Sequence, residues 1–148
     1  MKLKQITIAI ENSPGRLYEV TNALGEAGIN LRAASLVDTG AFGQLRLLVS
    51  DLAKTRRILM KMQMPAKVDE VVAVEIEDKP GSLARMLKPL IDANIQVTYT
   101  YAFVGFQPGS AIMIFRFSDN DKAIKVLQEN GMKLLDSKDF GILETNNN

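Results

Sequence analysis

The feature that most constrains this chain is that it is written twice. The stretch Glu11-Asn12-Ser13-Pro14-Gly15-Arg16-Leu17 follows an alternating apolar run and opens an amphipathic segment, with Gly28-Ile29-Asn30-Leu31 one helix later. The same plan returns as Glu77-Asp78-Lys79-Pro80-Gly81-Ser82-Leu83, followed by Asn94-Ile95-Gln96-Val97. Pro80 and Gln96 each stand 66 positions after their counterparts, Pro14 and Asn30. A self-similar chain of 148 residues reads as two small units rather than one domain. Units this small bury little surface alone, so each is expected to pack on its sister or on a second chain.

The order of elements follows from the patterning. Ile6, Ile8 and Ile10 alternate with polar or small residues, which predicts a strand with one buried face. Ser13 is placed to cap the next helix, and Pro14 suits its first turn. Leu17, Val20, Leu24 and Ala27 form that helix's apolar stripe, and Gly28 ends it. Strands are predicted over 29–37 and 44–49, a helix around Ile58, Leu59 and Met62, and a short strand over 66–69. The second copy repeats this: a strand from Val71, a helix carrying Leu83, Met86, Leu87, Leu90 and Ile91, strands over 95–104 and 111–117, a helix over 121–130 and a strand over 132–135. Pro89 falls inside its helix, where it should bend the axis. The loop from Gly105 to Ser110 is longer than its counterpart. Ile112 and Ile114 alternate with core-facing Met113 and Phe115, so that strand needs cover on both faces, from the sister domain or another subunit.

Each copy therefore reads β-α-β-β-α-β, the split arrangement of ferredoxin-like domains. The fold class is α+β, with antiparallel sheets carrying their helices on one face. Residues 1–69 form the first domain and 70–138 the second. Residues 139–148 read as a tail, frayed at its three asparagines.

Composition removes whole classes of chemistry. There is no cysteine and no histidine, so disulfides, thiolates, most zinc sites and imidazole acid–base catalysis are out. A net charge of +1 gives no case for nucleic acid. No apolar run is long enough to span a membrane, and the N-terminus lacks a signal peptide's apolar core, so a cytoplasmic location is expected. Glu11, Glu75, Glu77 and Asp78 show no acid–base spacing, and no P-loop or nucleophile–base signature is present. Arg16 with Asn30 is a faint echo of phosphate-handling chemistry on this fold. Tyr99, Tyr101 and Phe103 share a strand face but lack the basic neighbours of RNA-stacking aromatics.

The two copies resemble the ACT domain, a ferredoxin-like module attached to many enzymes of amino-acid metabolism and known for binding amino-acid effectors. The resemblance rests on the strand–[Asn/Asp]-x-Pro-Gly–helix–x-Ile-[Asn/Gln] core in both copies. More narrowly the chain is similar to free-standing tandem ACT proteins, through Ile29-Asn30-Leu31-Arg32-Ala33, Phe42-Gly43-Gln44-Leu45-Arg46-Leu47 and Tyr101-Ala102-Phe103-Val104-Gly105. ACT domains that bind serine carry asparagine where this chain has Asn12 and Asn30. They also carry a histidine where it has Ile10, so the resemblance implies an amino-acid ligand without making it serine.

What this implies is a non-catalytic regulatory protein with no cofactor. A free amino acid or similar small zwitterion is held at a domain or subunit interface by the Pro-Gly loops and paired amides. The implied ligand-binding residues are Asn12, Ser13, Pro14, Gly15, Arg16, Leu17, Asn30 and Leu31 in the first copy. In the second they are Asp78, Lys79, Pro80, Gly81, Ser82, Leu83, Gln96 and Val97. A homodimer is expected, with an enzyme of amino-acid metabolism as a further partner and no nucleic acid or membrane. The alternative is a structural adaptor whose ligand sites are vestigial. The first copy is expected to hold the principal site, because Asn12 and Asn30 suit both ends of a zwitterion, whereas Asp78 is placed to cap its own helix and occupy the donors.

Overall fold

The computed structural model describes residues 1–104 and 106–143. Its elements run β1 (Leu3–Glu11), α1 (Arg16–Glu26), β2 (Leu31–Asp38), β3 (Phe42–Val49), α2 (Leu52–Lys61), β4 (Ala66–Glu77), α3 (Ser82–Asp92), β5 (Val97–Val104), β6 (Ser110–Phe117), α4 (Asn120–Glu129) and β7 (Lys133–Leu135). The doubled β-α-β-β-α-β order is present, with β4 closing one repeat and opening the next. The two strands expected at 66–69 and from Val71 are this one strand. No glycine or proline lies between Ala66 and Glu77 to interrupt it.

The chain divides into two compact units. One holds Lys4–Asp69 with the C-terminal residues from Ser137, and the other holds Met1–Leu3 with Glu70–Asp136. In the first, β1 and β2 both pair antiparallel with β3, in registers that set Ile8 opposite Leu45 and Ala34 opposite Leu47. Ile6, Ile8 and Ile10 meet Val20, Leu24, Leu45, Leu47 and Leu59 in one buried cluster. Burying each large aliphatic contributes about 1.5–3 kcal/mol. Behind that face, Gln5 Nε2 donates to Thr7 Oγ1 and Thr7 Oγ1 donates to Asp69 Oδ2, both at 3.1 Å. The buried polar side of β1 is thereby satisfied.

In the second unit β6 pairs antiparallel with β4 and β5, and β7 pairs with β4. Val72, Val74, Met86, Leu90, Met113, Phe115 and Leu127 form its core. Phe115 and Phe117 stack with ring centroids 5.0 Å apart. The α3 helix runs through Pro89 as a single element. Ile112 and Ile114 are fully buried within the single chain.

The segment read as a tail is anchored over its described part. Phe140 is 2% exposed, Leu143 N–H donates to the Ser50 carbonyl at 2.8 Å, and Leu143 forms a parallel bridge with Asp51. The fraying expected at the terminal asparagines lies outside the described residues, as does Gly105 at the start of the longer loop.

Candidate functional site

The Pro-Gly loops are built alike. Asn12 N–H donates to the Ala41 carbonyl at 3.1 Å, and Asp78 N–H to that of Gly109 at 2.9 Å. Each loop is tied in this way to the hairpin beside it. Gly15 and Gly81 then take φ of 88° and 85° and serve as the N-caps of α1 and α3. This corrects the expectation that Ser13 caps α1 and that Pro14 lies in its first turn. The left-handed turn delays each helix until after its glycine, because only that residue adopts the conformation without strain. A methyl group at Gly15 would meet nothing within 4 Å, so backbone conformation rather than close packing explains the residue. At Gly81 it would meet Arg85 Nη1 at 2.9 Å.

Asp78 does not cap α3 with its side chain, contrary to expectation, and among the described residues no partner approaches its carboxylate. With Lys79, Gly81, Ser82 and Leu83 it lines a groove of about 520 Å³, to which Ile76, Leu87 and Met113 add apolar side chains. Lys79 pairs with Glu77 at 3.2 Å, and Ser82 Oγ accepts from Arg85 at 3.1 Å. In the first repeat the amide of Asn12 donates to Asp38 Oδ1 and the Gly40 carbonyl, both at 3.3 Å, so its N–H groups hold the β2–β3 turn. Arg16 Nη1 pairs with Glu19 at 2.7 Å, while its Nε is buried without a partner. Ser13, Pro14 and Leu17 are exposed around it.

The second polar position of each repeat is also built twice over. Asn30 N–H donates to Ser50 Oγ at 2.9 Å and its carbonyl accepts from Ser50 N–H at 2.9 Å. Gln96 and Ser118 repeat both bonds, at 3.0 and 2.8 Å. Asn30 and Gln96 are exposed, while Leu31 and Val97 turn partly into their cores.

The structure does not bring the two positions of one repeat together. Asn12 lies before α1 and Asn30 after it, and a helix of that length separates them by roughly 16 Å. Asp78 and Gln96 are divided by α3 in the same way, and Gln96 lines a different groove from Asp78. Sequence spacing alone suggested a pair. The split β-α-β path sends the pair to opposite ends of the sheet. Sequence reasoning also missed Ser50 and Ser118, whose only signal was their matching place just before the acidic caps Asp51 and Asp119. Arg46 Nη2 donates to Gln44 Oε1 at 3.1 Å. Among the described residues no acidic cluster suited to a metal ion occurs, and no helix is long and apolar enough to cross a membrane.

The sequence profile of the ACT domain pair matches residues 1–143. Among solved structures, protein BT0572 from Bacteroides thetaiotaomicron is 35% identical, superposes with a TM-score of 0.89, and matches over 97% of this chain and 98% of that one. The ligand-free regulatory subunit of aspartate kinase from Thermus thermophilus is 16% identical with a TM-score of 0.61, over 85% of this chain and 90% of that one. Aspartate kinase from Clostridium acetobutylicum gives 16% and 0.54, over 86% of this chain and 33% of that one. These last two share the fold. No curated protein matches the chain by sequence.

Proposed function

The chain belongs to the ACT domain pair family, and from that premise we propose that it is a non-catalytic regulatory protein that binds a free amino acid. The observation that carries this reading is the groove at the second Pro-Gly loop, lined by the unpaired carboxylate of Asp78 together with the apolar side chains of Ile76, Leu87 and Met113. A zwitterion fits that chemistry. Its ammonium group pairs with Asp78, its carboxylate meets the N–H groups opening α3, and its side chain lies over Leu87 and Met113. This reverses the asymmetry expected between the copies, since Asn12 spends its amide donors on its own turn while Asp78 keeps its carboxylate free.

Gln96 lies a helix away from the Asp78 loop of its own repeat, and in this reading a second copy of the chain supplies it. The protein is accordingly a homodimer that shares ligand between subunits. Ligand shifts its assembly, or its hold on an enzyme of amino-acid metabolism, by the difference in affinity for the two states.

A thermal-shift screen of the twenty standard amino acids, run beside phosphate and nucleotides, tests the reading. A ligand at ~100-fold excess over Kd stabilises the native state by about 2.7 kcal/mol, which moves the melting temperature by several degrees. Asp78→Ala should weaken the hit by about ten- to a hundredfold, the effect of losing a hydrogen bond to a charged group at about 1.5–3 kcal/mol. If no amino acid shifts the transition, the sensor reading fails and the adaptor takes its place.

A further inference from the structure

The groove beside the second Pro-Gly loop is lined by two kinds of side chain, apolar and charged. Leu83 and Leu87 stand one helical turn apart, so they share a face of α3. Ile76 and Ala111 are cross-strand partners on β4 and β6. Met113 follows Ala111 at the two-residue spacing that keeps it on the same side of the sheet. Ala84 completes the apolar part of the lining.

The charged part is already engaged, apart from Asp78. Glu77 and Lys79 pair with each other at 3.2 Å. Ser82 is buried, and its Oγ accepts from Arg85 at 3.1 Å. Once Asp78 holds a ligand's ammonium group, no charged group of the lining remains to receive a charged side chain, and burying one without a partner is costly. The first repeat differs at two of these positions. Ile10 pairs with Gly43 as Ile76 pairs with Ala111, so Gly43 takes the place of Ala111. At the offset that relates Pro14 to Pro80, Thr21 takes the place of Leu87, and its hydroxyl donates to the Leu17 carbonyl at 2.9 Å. Two apolar side chains of the second groove are thus missing from the first.

We propose that the second Pro-Gly groove selects amino acids with a long apolar side chain, of leucine or methionine size or larger, and that Leu83, Leu87 and Met113 are the residues that select. This selectivity rests on the amino-acid reading of the same groove and adds the class of ligand to it. Recognition is divided between the two parts of the lining. Asp78 and the N–H groups opening α3 hold the ammonium and carboxylate that every amino acid carries. The apolar side chains reward the ligand's own side chain by the area it removes from water, about fourfold in affinity for each buried methylene. A lysine side chain brings an ammonium into that lining and loses the advantage of its length.

The test is titration calorimetry on the full chain with L-alanine, L-2-aminobutyrate, L-norvaline and L-norleucine. L-lysine is added because it has norleucine's four-carbon side chain ending in an ammonium. Affinity should rise about fourfold per methylene, roughly sixtyfold from alanine to norleucine. Norleucine should bind roughly tenfold or more tightly than lysine. Leu87→Thr puts the first repeat's residue into the second groove and should weaken norleucine roughly fivefold more than alanine. Leu83→Ser, at a position 37% exposed, should act in the same direction, and it decides the matter if Leu87→Thr fails to fold. A series without length dependence, or lysine binding as tightly as norleucine, overturns the selectivity and leaves the amino-acid reading in place. Equal losses for alanine and norleucine in the variants overturn it as well. If no amino acid gives a saturable heat, the amino-acid reading itself fails, and the selectivity falls with it.

Discussion

Lys54 reaches back from α2 to donate through Nζ to the carbonyl of Ala27 at 2.6 Å, and Lys122 makes the equivalent bond to Ala93 at 2.9 Å. In each repeat a cation closes the C-terminal end of the first helix, where unpaired carbonyls and the negative dipole end gather. Neither α1 nor α3 has a basic residue in its own last turn, so this tertiary contact supplies the charge. Lys54→Met and Lys122→Met should each lower stability by about 0.3–1 kcal/mol in urea unfolding, and less in high salt. A loss unaffected by salt would mean that packing of the lysine stem, not charge, is what matters.

Gly15 and Gly25 should respond with opposite signs to the same change. Gly15→Ala forces a methyl into a left-handed turn and should cost about 1–2 kcal/mol, although nothing crowds the site. Gly25 lies in α1 with open space around it, so Gly25→Ala should stabilise by about 0.5–1 kcal/mol. Chemical denaturation of both variants decides the matter. A neutral Gly15→Ala would remove the conformational explanation for the Pro-Gly motif.

Glu75 makes acid stability a property of the second unit. Its hydrogen bond to Lys133, 2.9 Å away, holds the carboxyl below its ordinary value of 4.5, aided by Ser110 and opposed by burial. A carboxyl depressed in the native state contributes stability that is present above the unfolded value and lost as pH falls through the lower native value. Glu75→Gln should therefore be less stable than the parent at neutral pH, and the gap should close as pH falls below the ordinary carboxyl value of 4.5. Melting curves across that range that stay a constant distance apart would refute the assignment.

Thr7 carries the buried chain from Gln5 to Asp69. Thr7→Val preserves shape but takes away a hydroxyl that accepts from one neighbour and donates to the other. Losing it should cost about 1–3 kcal/mol. If Thr7→Val unfolds at the parent's urea midpoint, water or other partners already satisfy both groups.

Most of the architecture was legible because it is local and periodic. Alternation marked Ile6–Ile10, a helical stripe marked Leu83–Ile91, and the doubled Pro-Gly motif fixed the repeat. Asn94, with φ of 57°, ends α3 as Gly28 ends α1, a substitution readable from residue type alone. Gln63 adopts the same φ at the end of α2 with no such preference, so its conformation is imposed by surrounding structure. What only the tertiary structure decided concerns meetings between distant residues. The glycines, not Ser13, begin the helices. Residues 66–77 run as one strand. Leu143 returns to Ser50, and Asn12 and Asn30 part company around α1. Spacing along the chain specifies which face a residue occupies. Which ends of which elements converge depends on the right-handed crossover of each β-α-β path and on hydrogen bonds between residues far apart in sequence. Local pattern carries no record of either.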